Sequence, residues 1–181
     1  MLKEARKKQF RVDSLQKLKK LSKNRRYYSD KMIINQLYRE IKKENFKQIM
    51  LYLPLEIEVN IYPLINRLRK EGKLLFVPFM KGESFKLVKY RLPLKRKKFR
   101  IKEPHNSYQY RKRKIDLSIV PIVGIDCTFR RIGFGKGMYD RFFEKEKKNI
   151  NRVVFVSRKL CYSKDIMTNH YDVIANSIVT T

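Results

Sequence analysis

An α/β fold is predicted, a single-domain layered sheet of mixed but mostly parallel strands flanked by helices. Three features of the sequence carry that prediction. Short apolar runs alternate with stretches of helical periodicity along the chain. Several runs, Leu117–Val123 above all, are apolar enough for buried central strands. Three of the six glycines, Gly133, Gly135 and Gly137, fall within five residues between a strand-like and a helix-like segment. That layout suits a phosphate-binding loop at a helix N-terminus.

The elements follow in order. Residues 3–22 read as a helix with a partial apolar face at Leu15, Leu18 and Leu21, broken at Ser22 to Asn24. Ser29-Asp30 is placed to cap a second helix, where Ile33, Ile34, Leu37, Tyr38 and Ile41 recur at helical spacing. Residues 48–53 read as a buried strand ending at Pro54. Ile61, Leu64, Ile65 and Leu68 form a helical stripe closed by Gly72. Leu74–Val77 is a strand ending before Pro78, and Phe85–Tyr90 alternates as an antiparallel or edge strand does. Residues 91–114 are basic and irregular, a long surface connection. After the central strand and the glycine run, Met138, Phe142 and Phe143 mark a helix. Strands are expected at 153–156 and 173–179. No repeat or linker divides the chain, so residues 1–181 are expected to form one domain, with 1–44 a helical segment packed on it.

Composition excludes several classes. With 181 residues and 43% apolar content, the chain is long enough and apolar enough for a real core. No apolar run spans a bilayer, and the basic N-terminus lacks a signal-peptide core. Cys127 and Cys161 have no metal spacing, and His105 and His170 add no cluster. A reduced, cytoplasmic protein without structural metal is expected. The net charge of +28, from 45 basic and 17 acidic residues, points to an anionic partner, either nucleic acid or a small polyanion. The alternative is cations spread over solvated faces. Their distribution along the whole chain favours it, and no aromatic-studded basic strand of the RNA-binding kind is evident.

The glycine run fits neither common phosphate fingerprint. Gly137 follows Lys136 where a Walker loop needs Ser or Thr, and the third glycine comes one residue early for a dinucleotide loop. A plain tight turn is the alternative reading. The flanks favour phosphate: Arg131 and Lys136 can neutralise phosphate oxygens, and Asp140 can hold a magnesium ion bridging them.

The stretch Asp116–Pro121, Asp126 and Arg131–Phe142 resembles the signature of the 5-formyltetrahydrofolate cyclo-ligase family, also called methenyltetrahydrofolate synthetases. Lys7, Phe10 and Arg11, then Glu58–Pro63, Phe76–Pro78, Phe85, Glu103-Pro104 and Asp172 fall in family order, so the likeness covers almost the whole chain. There are departures. Met138 replaces a tyrosine, Phe129-Arg130 replaces a Gly-x pair, Ser157–Cys161 lacks the usual Ala, Phe and Gln pattern, and Asn176 stands where an acidic residue often occurs.

The resemblance implies a Rossmann-like, cyclo-ligase-type fold and an ATP-dependent ring closure. 5-Formyltetrahydrofolate becomes 5,10-methenyltetrahydrofolate, with ADP and phosphate released. The γ-phosphoryl goes to the formyl oxygen, the other folate nitrogen attacks the activated carbon, and phosphate departs. Positioning and charge stabilisation carry such chemistry, which suits a chain without a nucleophile–base pair. By the same resemblance Arg131 and Lys136 are catalytic. Lys7, Arg11, Arg131, Gly133, Phe134, Gly135, Lys136, Gly137, Met138 and Tyr139 hold ATP. Glu58, Tyr52, Phe85 and Tyr139 hold the folate, and Asp140 and Asp172 hold magnesium. For Lys7 and Arg11 the register can slip to Lys3, and Asp172 has a turn-capping alternative. Phe85 and Tyr52 have a plain core alternative. Acidic polyglutamate tails on folate and the ATP tetra-anion give the charge a purpose, with Lys95, Lys97 and Lys98 as candidates. A monomer is expected, with no membrane partner and no need of nucleic acid. The rival is a basic nucleic-acid-binding protein keeping a cyclo-ligase-like fold without activity, and a third reading is another kinase-like enzyme. Glu58 beside Arg131, Lys136 and Asp140 argues against the rival, which needs no pterin carboxylate.

Overall fold

Apolar side chains that alternate along a strand reach both faces of its sheet, so each face needs a helical cover. The computed structural model of the chain, which describes residues 2–23, 26–96, 102–104 and 114–181, meets that need. It opens with α1 (Leu2–Lys23), α2 (Arg26–Lys43), β1 (Gln48–Met50), α3 (Tyr62–Lys70), β2 (Leu74–Lys81) and β3 (Ser84–Lys89). A short ladder, β4 (Lys95–Arg96) with β5 (Lys102–Glu103), leads to β6 (Ile115–Pro121), β7 (Gly124–Asp126) and β8 (Arg131–Ile132). The chain ends with α4 (Met138–Glu146), β9 (Ile150–Val156), β10 (Tyr162–Ser163) and β11 (Ser177–Val179).

The main sheet has six strands in the order β11-β9-β6-β1-β2-β3. Every pair is parallel except β2 with β3, which are antiparallel. This is the mixed, mostly parallel sheet the periodicity predicts. On one face Ile33, Leu37 and Ile41 of α2 and Leu64, Ile65 and Leu68 of α3 join Ile49, Ile119 and Val154. On the other, Phe142 and Phe143 of α4 join Met50, Val120 and Phe155. Neighbouring strand residues thus feed opposite cores. Burying each such side chain contributes about 1.5–3 kcal/mol. A three-stranded sheet, β10-β7-β8, lies beside the main one.

Four expectations need correction. α2 begins at Arg26, so Ser29-Asp30 is not its cap. Asp30 lies inside the helix, buried, where the Arg158 guanidinium gives its carboxylate a stronger partner than free amides would. β1 stops at Met50; Leu51–Leu53 stay buried while the chain turns out of the ladder. β2 runs through Pro78 to Lys81. The Phe76 carbonyl accepts from Leu51 on the β1 side, so Pro78, two residues on, faces the same side beyond the end of β1, where its missing N–H leaves no ladder bond unmade. The last expected strand is only Ser177–Val179, preceded by one isolated bridge between Arg130 and Ile174. Lys97, Lys98 and His105 lie outside the described residues. Among the described residues no helix is long and apolar enough to cross a membrane.

The strand order locates the site. From β1 the chain moves to β2 on one side, and from β6 it moves to β9 on the other. The connections therefore diverge between β1 and β6, and ligands of open α/β sheets bind at the carboxyl ends of strands at such a point.

Candidate active site

Loops leave the carboxyl ends of β1 and β6 at this point. The loop after β1 carries Tyr52 and Glu58. The end of β6 offers the Pro121 carbonyl, which accepts a 3.1 Å hydrogen bond from Nε of Arg131. Arg131 is buried on β8, and its backbone N–H donates to the Val173 carbonyl at 2.8 Å. Its guanidinium is thereby fixed at the root of the glycine loop.

The loop geometry explains two of the glycines. Gly135 (φ +95°) adopts a conformation that side chains rarely take. A Cβ on Gly133 would lie 2.2 Å from Nη1 of Arg131, so only glycine leaves room for the guanidinium. The loop ends at Gly137, where α4 begins, and its free N-terminal amides favour an anion. Arg141, one turn in, donates to the carbonyls of Lys136 and Glu83 and ties the loop to the β2–β3 turn.

Helix α1 lies across this loop. Lys3, Lys7 and Arg11 recur every four residues on one of its faces. Lys3 donates to the Thr168 carbonyl at 2.6 Å, Lys7 to Oδ2 of Asp172 at 2.8 Å, and Arg11 to the Gly133 carbonyl at 2.9 Å. All three of these cations are therefore engaged with the loop or with the segment 168–172. The segment bearing Thr168 and Asp172 is anchored in turn by Asp126, which is fully buried. Burial alone would raise its carboxyl. Hydrogen bonds from the Thr128 and Thr168 hydroxyls and from the Thr168 and Met167 amides outweigh it and hold the group well below the usual carboxylate range.

These elements enclose a cavity of about 260 Å³. Lys7, Arg11, Arg131, Gly133, Gly135, Lys136, Gly137, Asp140 and Asp172, all expected at the site, line it. Oδ1 of Asp140 is buried without a hydrogen-bond partner, and its Oδ2 lies 3.9 Å from Nη1 of Arg131. The unpartnered carboxylate oxygen is one that could serve as a magnesium ligand, while the cations and helix N-terminal amides around it suit phosphate oxygens. Asp172 is different: its Oδ2 is occupied by Lys7 and by the Asn169 amide. Among the described residues no group of three His, Cys, Asp or Glu side chains could hold a metal alone.

Glu58, Tyr52, Phe85, Phe134, Met138 and Tyr139 do not line this cavity. Arg131 connects it to them: its guanidinium carbon sits 4.7 Å over the Tyr139 ring. Tyr139 is near enough to Glu58 that the carboxylate, after burial, helps raise its hydroxyl, with Arg131 working the other way. Glu58 is half-buried and accepts a 2.7 Å bond from the Leu55 N–H. Desolvation pushes its carboxyl up to about 7, against the opposing pull of that bond and of Arg131 and Arg158. Tyr52 is buried and donates to the Val59 carbonyl, so its hydroxyl is already engaged. Phe85 stacks on Phe142 at 4.4 Å and meets Tyr139 edge-on at 5.0 Å, as a core aromatic does. Met138 packs on the same core, and Phe134 is half-buried.

Sequence reasoning assigned no site role to Glu4, Arg141, Glu144 or Tyr171 of the cavity lining, and it did not pair Asp30 with Arg158. Arg141 carries a local signal, four residues after Gly137 and facing the loop. The Asp30–Arg158 pair spans 128 residues, and nothing local announces it.

The family model described as the 5-formyltetrahydrofolate cyclo-ligase family matches residues 3–181. The 5-formyltetrahydrofolate cyclo-ligase of Mus musculus is 25% identical over 147 residues, 75% of this chain and 72% of the mouse protein. That of Haemophilus influenzae is 26% identical over 144 residues, 74% of this chain and 75% of its own. The solution structure of Aquifex aeolicus 5,10-methenyltetrahydrofolate synthetase superposes with a TM-score of 0.79 at 28% identity, covering 96% of this chain and 89% of that one. The Mycoplasma pneumoniae 5,10-methenyltetrahydrofolate synthetase shares the fold, with a TM-score of 0.74 at 22% identity over 96% of this chain and 97% of its own. A glycine loop clasped by Arg131 and by α1, at the carboxyl edge of such a sheet and matched from residue 3 to the last residue, places this chain in the 5-formyltetrahydrofolate cyclo-ligase family.

Proposed function

We propose that the protein is the ligase its family describes, closing 5-formyltetrahydrofolate to 5,10-methenyltetrahydrofolate at the expense of ATP. The placement of Arg131 carries this reading. One guanidinium lies 3.9 Å from Asp140 of the cavity and 4.7 Å over the ring of Tyr139, whose hydroxyl feels the charge of Glu58. It can therefore act on a phosphoryl group passing from nucleotide to folate. When bound, ATP with magnesium supplies the phosphoryl group that turns the formyl oxygen into a leaving group.

The chain's own residues position and neutralise. The loop amides and Lys136 would take phosphate oxygens, and Arg131 would hold the charge that builds as the phosphoryl moves. Asp140 would hold magnesium through its free oxygen, which leaves Asp172 the task of placing Lys7. Glu58 would accept the pterin N–H groups, with Tyr139 packing the ring. The protein would work as a single cytoplasmic domain and as a monomer. The +28 charge would steer ATP and the acidic tail of polyglutamylated folate. The test mixes protein, 5-formyltetrahydrofolate and Mg-ATP and follows the near-ultraviolet absorbance of the methenyl product. An ATP-dependent rise is expected. No rise, together with salt-sensitive retention of RNA, would favour a nucleic-acid-binding role instead.

A further inference from the structure

Residues 54–61, between β1 and α3, form no strand or helix, yet this loop carries the carboxylate assigned to the pterin. The Glu58 N–H donates to the Leu55 carbonyl at 3.0 Å, Oε2 of Glu58 accepts the Leu55 N–H at 2.7 Å, and the Tyr52 hydroxyl donates to the Val59 carbonyl at 2.9 Å. Val59 and Ile61 are buried in the core. The carbonyls at 57 and 58 are held by a distant residue in the segment that departs from the family pattern. Arg158, 3% exposed just after β9, donates from Nε to Oδ1 of Asp30 at 2.7 Å and from Nη2 to Oδ2 at 3.0 Å. The remaining donors reach the loop: Nη1 to the Ile57 carbonyl at 2.9 Å and Nη2 to the Glu58 carbonyl. Oδ2 of Asp30 also accepts the Asn60 N–H at 3.2 Å. The Arg158 carbonyl is held by the Thr181 hydroxyl at 2.7 Å.

We propose that Arg158, braced by Asp30, is the positioning residue for Glu58, holding the loop so that its carboxylate faces the folate site. The proposal rests on the reading of Glu58 as the pterin carboxylate. A buried ion pair gains little net stability after desolvation, so fold maintenance is a poor account of it. What it supplies is geometry. A planar guanidinium fork aims several donors at once, and two of them fix the carbonyls at positions 57 and 58. A lysine at 158 keeps the charge and can reach Asp30, but it cannot hold both carbonyls in a fixed plane.

The test is a double-mutant cycle of R158K and E58Q, with KM for 5-formyltetrahydrofolate, KM for ATP, kcat and thermal midpoint measured for each variant. R158K is expected to raise the folate KM about tenfold and to leave the ATP KM within about twofold. In the E58Q background the same change should add less than about twofold, because the carboxylate it positions is gone. D30N retains the shape and weakens the brace, and it carries the same cycle if R158K does not fold. A lowered midpoint with unchanged folate KM would show a merely structural role and overturn the proposal. So would an equal rise in both backgrounds. E58Q without effect on the folate KM would overturn the Glu58 reading and the proposal together. E58Q with an effect and R158K and D30N without one would overturn the proposal alone.

Discussion

Nζ of Lys7 lies 2.8 Å from Oδ2 of Asp172, a buried ion pair that joins the first helix to a segment 165 residues away. Helix α1 buries little else, chiefly Ser14 and Leu18, so its seat on the glycine loop depends on polar contacts. Removing one partner of a buried pair leaves the other charge stranded. K7M is expected to cost roughly 3 kcal/mol of stability and to raise the ATP KM. K7M/D172N should recover part of the stability and none of the ATP affinity. Denaturant unfolding and steady-state kinetics on the two variants check this.

Gly133→Ala would place a Cβ at 2.2–2.7 Å from the Arg131 guanidinium atoms. The guanidinium is buried and its Nε is bonded to the Pro121 carbonyl, so displacing it costs stability as well as position. The expected result is a kcat lower by about a hundredfold together with a lower thermal midpoint. Retention of kcat would contradict it.

Glu58 titrates near 7, raised from 4.5 chiefly by desolvation. For an acid with a raised folded-state pKa, the folded form binds its proton more tightly. Its stabilising contribution is complete below pH 4.5 and is lost as pH rises through 7. Stability should fall across that window by about 1–3 kcal/mol, and E58Q should remove the fall. Catalysis should run the other way. The ionised carboxylate accepts the pterin N–H groups, so kcat/KM for folate should rise with an apparent pKa near 7 in the parent and lose that rise in E58Q. Paired pH profiles of unfolding and of kcat/KM measure both slopes.

Asp140 keeps Oδ1 buried and unpartnered beside the loop. Asp140→Asn preserves shape and removes charge. The magnesium concentration for half-maximal activity should rise by about tenfold or more, with folate KM little changed. A magnesium titration at fixed ATP decides it; an unchanged requirement would move the metal elsewhere.

The sheet was legible because apolar runs and helical stripes are local patterns. Leu117–Val123 announced the central strand, and Ile61, Leu64, Ile65 and Leu68 announced α3. The glycine loop was legible for the same reason: Gly133 to Asp140 are neighbours in the chain, and the backbone at Gly135 and Gly137 has positive φ. Ser29-Asp30 misled because a capping pair and a buried helical carboxylate look alike until the distant guanidinium is known.

The sequence by itself therefore determined the α/β class, the glycine loop between a strand and a helix, and the identity of most cavity residues. The tertiary structure decided which charges face each other. It matched Lys7 with Asp172, left Oδ1 of Asp140 without a hydrogen-bond partner, and set Arg158 on the loop bearing Glu58. The reason is physical. Local propensity acts over a few residues, whereas an ion pair depends only on distance in space and burial. Such pairs form between residues that the fold, and no sequence pattern, brings together.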